Sequence, residues 1–323
     1  LIVMPLKVPR NLLQTEALNR RMPSTHPKKE IANISAKNMR AGYNGELGLE
    51  YPLSFLPHDD NLIFYHLRIP DNNGYFQMDA LILTSKFILI IEAKNIYGTI
   101  SFDDMGQAIR STDEKVDIFT NPIEQVNLQH LRLLQWLREG GFSKMPIPIE
   151  KIVAYSGTST ILRNLVNDKT ISDTVMRTER ILTKITEIER KYQTVCLSEE
   201  QLKNLSSQLV SAHSPEDENV LGKYNVSYEE LIKGVFCPEC NAVPMQWRAG
   251  KWVCSYCNTV SKIAHRNALE DYALLISERV SNQQARDFLQ MKSDNMVKGL
   301  LKNENFDQIG KNKGRKYLIG NNN

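Results

Sequence analysis

No stretch of this 323-residue chain comes near the roughly 20 apolar residues that a bilayer-spanning helix needs, so the sequence predicts a soluble, cytoplasmic protein without a membrane partner. The apolar opening, Leu1-Ile2-Val3-Met4-Pro5-Leu6, is cut short by Lys7 and Pro9-Arg10 and lacks a small-residue cleavage site, which argues against a signal peptide and for a strand or packing segment. There is no internal repeat and no Walker-type phosphate loop, which argues against a nucleotide cofactor. Cysteine is scarce and odd in number, five in all, so full pairing into disulfides is ruled out. Net charge is only +3, which by itself points to no partner.

That average hides uneven segments. Residues 1 to 40 hold eight Lys or Arg against two Glu, and residues 279 to 316 hold nine against four acidic residues. Two basic ends suit a polyanion. Length and a 41% hydrophobic content fit two or three globular domains. The pattern divides into five pieces: a basic N-terminal arm over 1–35 with a helix near Leu12 to Arg20; an α/β core over 36–160; a mixed, mainly helical extension and linker over 161–232; a four-cysteine unit over 233–262; and a helical module over 265–323. Helical patterns are expected over Ile161 to Tyr192 and Ser198 to Val210, and the polar, proline-broken stretch 212–219 reads as linker.

The core carries the chemistry. Gln77 to Thr84 and Phe87 to Lys94 are rich in branched apolar residues and separated by Ser85-Lys86, so they read as two antiparallel strands around a two-residue turn. Pairing Thr84 with Phe87 and counting along the ladder sets Asp79 opposite Glu92, with Lys94 on the same face. Opposed carboxylates beside a buried sheet repel unless a cation lies between them. Mg2+, or Mn2+ in its place, suits oxygen ligands and a substrate phosphate, with Lys94 orienting or deprotonating water or stabilising charge on phosphorus. The plainer reading is an exposed hairpin with a weak Glu-Lys ion pair, but Phe87 to Ile91 is apolar on both faces, as in an interior strand. A further strand at Ile149 to Tyr155 completes a central sheet flanked by helices.

Three blocks in order resemble the nuclease-related domain (NERD) family of the PD-(D/E)XK restriction-endonuclease-like superfamily: Gly42-Tyr43-Asn44-Gly45-Glu46, Gln77-Met78-Asp79 with Glu92-Ala93-Lys94, and Asn121-Pro122-Ile123-Glu124-Gln125. Together they cover about residues 36 to 160. Met78 stands where the superfamily pattern has proline. The resemblance implies a restriction-endonuclease-like mixed sheet, metal-dependent cleavage of DNA, and Glu46 as an assisting metal ligand. Asn121 and Pro122 suit the start of a helix whose apolar residues Val126, Leu128, Leu131, Leu134 and Leu137 read as core. Gln125, one turn inside, either contacts the metal-bound water or a phosphate, as comparable residues do in related nucleases, or is an ordinary exposed glutamine. His130 reads as a helix-surface histidine.

Cys237-Pro238-Glu239-Cys240 and Cys254-Ser255-Tyr256-Cys257, thirteen residues apart, have the spacing of tetrahedral Zn2+ in a zinc ribbon, with a hairpin between them. Four cysteine ligands leave no place for water, so such a zinc is structural. Two disulfides would strand Cys196 and do not suit the expected compartment.

In the last piece, Ser281-Asn282 and Ser293 suit helix caps on either side of Gln290-Met291-Lys292, the spacing of a helix-turn-helix. Asn295, Lys298 and Lys302 on the second helix, and Lys311, Lys313, Arg315 and Lys316 on a basic wing, are the candidate DNA contacts; a helical cap with solvated lysines is the plainer reading. Two functional classes follow: a Mg2+-dependent deoxyribonuclease whose tail modules hold DNA near the cutting site, and a DNA-binding regulatory or scaffold protein with an inactive nuclease-like core. An RNA-directed ribbon protein fits less well, since a wing and recognition helix suit a duplex groove.

Overall fold

The computed structural model describes residues 1–58, 60–142, 147–311 and 314–319. The chain forms two compact units, one of residues 1–8 and 39–216, the other of residues 9–38 and 217–323. Helix α1 (Arg10–Arg21) belongs to the second unit, and α2 (Lys29–Leu53) starts in the second and ends in the first.

The first unit is built on a six-stranded mixed sheet whose strands, in spatial order, are β1 (Ile2–Met4), β2 (Leu62–Asp71), β3 (Gly74–Leu83), β4 (Ile88–Lys94), β8 (Ile149–Tyr155) and β10 (Val175–Arg177). A second, four-stranded sheet contains β5 (Gly98–Phe102), β6 (Ala108–Ser111) and β7 (Val116–Phe119). Helix α3 (Pro122–Leu137) leads to β8 (Ile149–Tyr155), parallel to β4, and β9 (Thr160–Asn164) joins the second sheet beside β5. Then come α4 (Lys169–Thr174), β10 (Val175–Arg177), α5 (Ile181–Lys191) and α6 (Glu199–Ala212). This is an α/β architecture with mixed sheets flanked by helices.

β4 is buried on both faces. Ile88 and Ile90 pack with Val126, Leu133 and Leu137 of α3 and Leu205 and Leu209 of α6. Leu89 and Ile91 pack with Leu49 and Leu53 of α2 and Ile181 and Ile185 of α5. A strand sandwiched in this way must be apolar at every position, as its sequence is.

Two expectations change. The range Ile161 to Tyr192 is not one helical stretch: β9 and β10 occupy 160–164 and 175–177, because hydrogen bonding to β5 and β8 overrides a weak local pattern. In α3, Leu128 and Leu131 are exposed and the buried stripe runs through Val126, Gln129, Leu133 and Leu137. That stripe keeps the 3.6-residue period, while a stripe through 128 and 131 would point away from the sheet.

In the second unit, Ala17 and Leu18 of α1 and Met22 just after it pack in one cluster with Val220 and Tyr224 of α7 (Val220–Tyr224). A three-stranded sheet of β11 (Gln246–Arg248), β12 (Lys251–Val253) and β13 (Val260–Ser261) precedes α8 (His265–Leu275). After β14 (Arg279–Ser281), α9 (Asn282–Leu289) and α10 (Asp294–Asn303) flank the turn at 290–293, with serine caps at Ser281 and Ser293. β15 (Gln308–Ile309) and β16 (Lys316–Leu318) complete a sheet in the order β14-β16-β15.

Part of the N-terminal basic excess is neutralised inside this unit. Arg10 pairs with Asp217 and Glu278, both at 3.1 Å, Arg20 and the buried Arg21 both pair with Asp271, and Lys29 donates to the Asn19 carbonyl. These four cations therefore have partners inside the unit, three of them carboxylates and one a backbone carbonyl. Among the described residues no helix is long and apolar enough to cross a membrane.

Candidate active site and metal centre

The β3–β4 hairpin has the register that its turn dictates: Leu83 faces Ile88 and Ala80 faces Ile91. One step further Asp79 would face Glu92, but the ladder ends at Ala80. There the Asp79 side chain takes over as acceptor, its Oδ2 receiving the Ala93 N–H at 2.8 Å. Burial, then repulsion from Glu92 and Glu46, pushes the Asp79 carboxyl well above the usual carboxylate range, against the Ala93 hydrogen bond and Lys94. Asp79 thus gains if a cation arrives.

Glu92 is 2% exposed and saturated with donors. Its Oε1 accepts Lys94 Nζ at 2.6 Å and Gln125 Nε2 at 2.5 Å, and its Oε2 accepts Gln129 Nε2 at 2.7 Å. Lys94 Nζ also donates to Gln125 Oε1 at 2.9 Å. Gln125 is therefore no bystander on the helix surface: α3 is capped by Asn121, whose Oδ1 accepts the Ile123 N–H at 2.9 Å, and its first two turns deliver Gln125 and Gln129 to the end of β4. Gln129 was not anticipated from the sequence, although its place four residues after Gln125 puts both on one face.

Glu46 comes from α2. That helix lies so close to the strand ends that a Cβ at Gly48 would stand 2.6 Å from Ser156 Cβ, and one at Gly45 3.0 Å from Asn95 Cβ. The Glu46 carboxylate meets His66 of β2, with Nδ1 and Oε2 3.1 Å apart, and the Gln77 amide lies 3.3 Å from the same nitrogen. His66 is a second residue that sequence reasoning missed. His130 is half-buried, with its imidazole held below the usual histidine range by burial and then by Lys151.

Glu46, Asp79 and Glu92 do not form a closed ligand set. Among the described residues the group of three or more metal-ligating side chains whose donor atoms all lie within 4.8 Å of one another is Cys237, Cys240, Cys254 and Cys257. The acidic residues nevertheless fit a hard cation: Glu92 and Glu46 are both near enough to repel the Asp79 carboxyl, Lys94 pairs, among the described residues, with Glu92 alone, and Asp79 is the group that burial and repulsion penalise.

The cysteine quartet sits on two tight turns bracketing β11 and β12. Cys237 and Cys257 Sγ are 3.5 Å apart, as are Cys240 and Cys254. Those separations exceed a disulfide bond of about 2 Å and approach the edge of about 3.8 Å expected for a zinc tetrahedron. The Thr259 hydroxyl lies 3.1 Å from Cys257 Sγ and lowers the pKa of that thiol. Cys196, outside the quartet, is a free thiol.

On α10, Val297, Leu300 and Leu301 are buried, while Asn295, Lys298 and Lys302 are exposed on the other face. Lys311 and Lys316 are exposed, Arg315 is half-buried, and Lys313 lies outside the described residues.

No curated protein and no solved structure matches the chain. Residues 41–156 match the family model of the nuclease-related domain.

Proposed function

We propose that the protein is a metal-dependent nuclease that hydrolyses DNA phosphodiester bonds. The observation that carries this reading is the Asp79, Glu92 and Lys94 constellation at the end of one buried hairpin, within the segment that matches the nuclease-related domain. Asp79, Glu92 and Glu46 hold Mg2+, for which Mn2+ can substitute. The bound ion supplies charge neutralisation and Lewis acidity at the phosphate. Lys94 positions a water molecule and stabilises charge on the phosphoryl oxygens; the water oxygen bonds to phosphorus, the scissile P–O bond breaks, and the water proton leaves to a base or solvent. Gln125 holds Lys94 and Glu92 in register through two hydrogen bonds.

The cysteine quartet holds a structural Zn2+, and the α9–α10 pair with its basic wing contacts DNA phosphates, raising the local concentration of substrate by tethering. Asn295, Lys298, Lys302, Lys311, Lys313, Arg315 and Lys316 are the proposed contacts. A cytoplasmic setting suits such a protein.

One observation favours the second reading, a DNA-binding scaffold with an inert core: both oxygens of Glu92 are already occupied by Lys94, Gln125 and Gln129. Purified protein incubated with linear, circular and single-stranded DNA, with Mg2+ or with EDTA, separates the two. A nuclease cuts with Mg2+ alone, and Lys94→Ala lowers the rate by about a hundredfold or more while DNA binding persists. Equal cleavage by the variant removes Lys94 from the mechanism, and binding without cleavage under every condition establishes the scaffold.

A further inference from the structure

We propose that His66 is a positioning residue of the acidic site: it fixes the Glu46 carboxylate so that the remaining oxygen of that group can face a divalent cation. The inference rests on the nuclease reading and deepens it.

His66 has a backbone φ of 54°, in the left-handed region, in the middle of a ten-residue strand. Few residues other than glycine adopt that conformation, asparagine, aspartate and histidine among them, and it persists only where the surroundings over-determine it. The partners of its neighbours define its place. Tyr65 faces Ala80 and Leu67 faces Met78, so the register sets His66 across from Asp79.

At that pair both strands change face together. In β2, Phe64 packs in the α3-side core, and after His66 the residues facing that core are Leu67 and Ile69. In β3, Phe76 and Met78 pack on that side before Asp79, and Leu81 and Leu83 after it. An uninterrupted pleat keeps a period of two, so the three-residue steps from 64 to 67 and from 78 to 81 mark a shared break. The break costs no residue of register, since the pairing is continuous in number from Leu62–Leu83 to Asp71–Gly74.

The twist frees both side chains from the sheet faces. Asp79 turns along the ladder to Ala93, and His66 turns to Glu46, whose side chain is 11% exposed. Among the described residues the hydrogen-bonding partner of the Glu46 carboxylate is His66, at Oε2. A ligating carboxylate is commonly oriented by a second hydrogen bond of this kind, and losing that bond weakens metal binding about 10- to 100-fold. The imidazole acts through Glu46, and its own contact with substrate is not required.

Substitution separates the backbone from the ring. His66→Gly accommodates the left-handed φ without strain and deletes the imidazole, while His66→Asn keeps a residue tolerant of that φ and a side-chain donor. Mn2+ titrated into the full-length chain, followed by the free-ion electron paramagnetic resonance signal, reads affinity without reference to cleavage. The expectation is that His66→Gly still folds and melts cooperatively, with Mn2+ affinity about 10- to 100-fold weaker, and that affinity is restored to within a few-fold by His66→Asn. Wild-type affinity in His66→Gly, with binding lost in Asp79→Asn, overturns the positioning role and leaves the nuclease reading standing. Identical Mn2+ binding by wild type and Asp79→Asn overturns both.

Discussion

The acidic site of the first unit and the cysteine quartet of the second are two ways of assembling negative ligands. The quartet is local and closed: two turns seventeen residues apart, four equivalent donors, and every Sγ within 4.8 Å of the others. The acidic site draws on α2, β2, β3, β4 and α3, its carboxylates face different partners, and one of them carries an unfavourable proton balance. A closed set serves folding, whereas an open set of unlike groups suits chemistry on something that arrives later.

That contrast predicts where damage should be greatest. Cys254→Ser, or a chelator that removes the proposed Zn2+, should unfold the hairpin of β11 and β12, because structural zinc contributes folding energy on the order of 10 kcal/mol. Zinc content and hydrogen exchange over residues 235–261 check this, with the first unit expected to keep its protection. Removing a supporting group from the acidic site should cost far less. Gln129→Leu leaves Glu92 Oε2 buried without its donor, a loss of about 1 to 3 kcal/mol measurable by denaturant unfolding.

The smallest effect sharpens the contrast through pH. Asp79 has a raised pKa in the folded state, so the folded chain binds its proton where the unfolded chain has released it. The first unit should therefore lose stability as pH rises from the ordinary carboxylate range through the raised value. In the second unit burial lowers the pKa of His265 from its ordinary 6.5, against the opposing pull of Glu304. Trp252 donates to its Nδ1 at 3.1 Å, so the ring proton sits on Nε2, 2.9 Å from Glu304. Stability from this neutral ring is present above 6.5 and is lost as pH falls through 6.5 toward the depressed value. Hydrogen exchange in Mg2+-free buffer should show the two units responding in opposite directions, and Asp79→Asn should abolish the response of the first.

What could be read from the sequence follows the same division between local and assembled. The hairpin register was legible because a two-residue turn leaves little freedom to the strands it joins, and the cysteines because their spacing is itself the geometry. Gln129 was hidden by a phase error in α3: leucines at 128 and 131 look like core, yet only the sheet decides which side of the helix is inside. Strands β9 and β10 are three to five residues long and draw their stability from partners distant in sequence, so local pattern could not reveal them. His66 left no trace in composition, since a left-handed residue inside a strand is a property of the pairing rather than of the residue.

The backbone of α2 is bare at Gly45 and Gly48, where it meets the ends of the strands. With 2.6 Å and 3.0 Å left for a first side-chain carbon, the hydrogens of these residues act as spacers between helix and strand ends. A methyl group at Gly48 would have to prise the helix away from Ser156 and carry the Glu46 carboxyl outward with it. The distance from this helix to the hairpin is thus set like a gauge, by contact, and an acid borne on one cannot drift from those borne on the other unless that contact first opens.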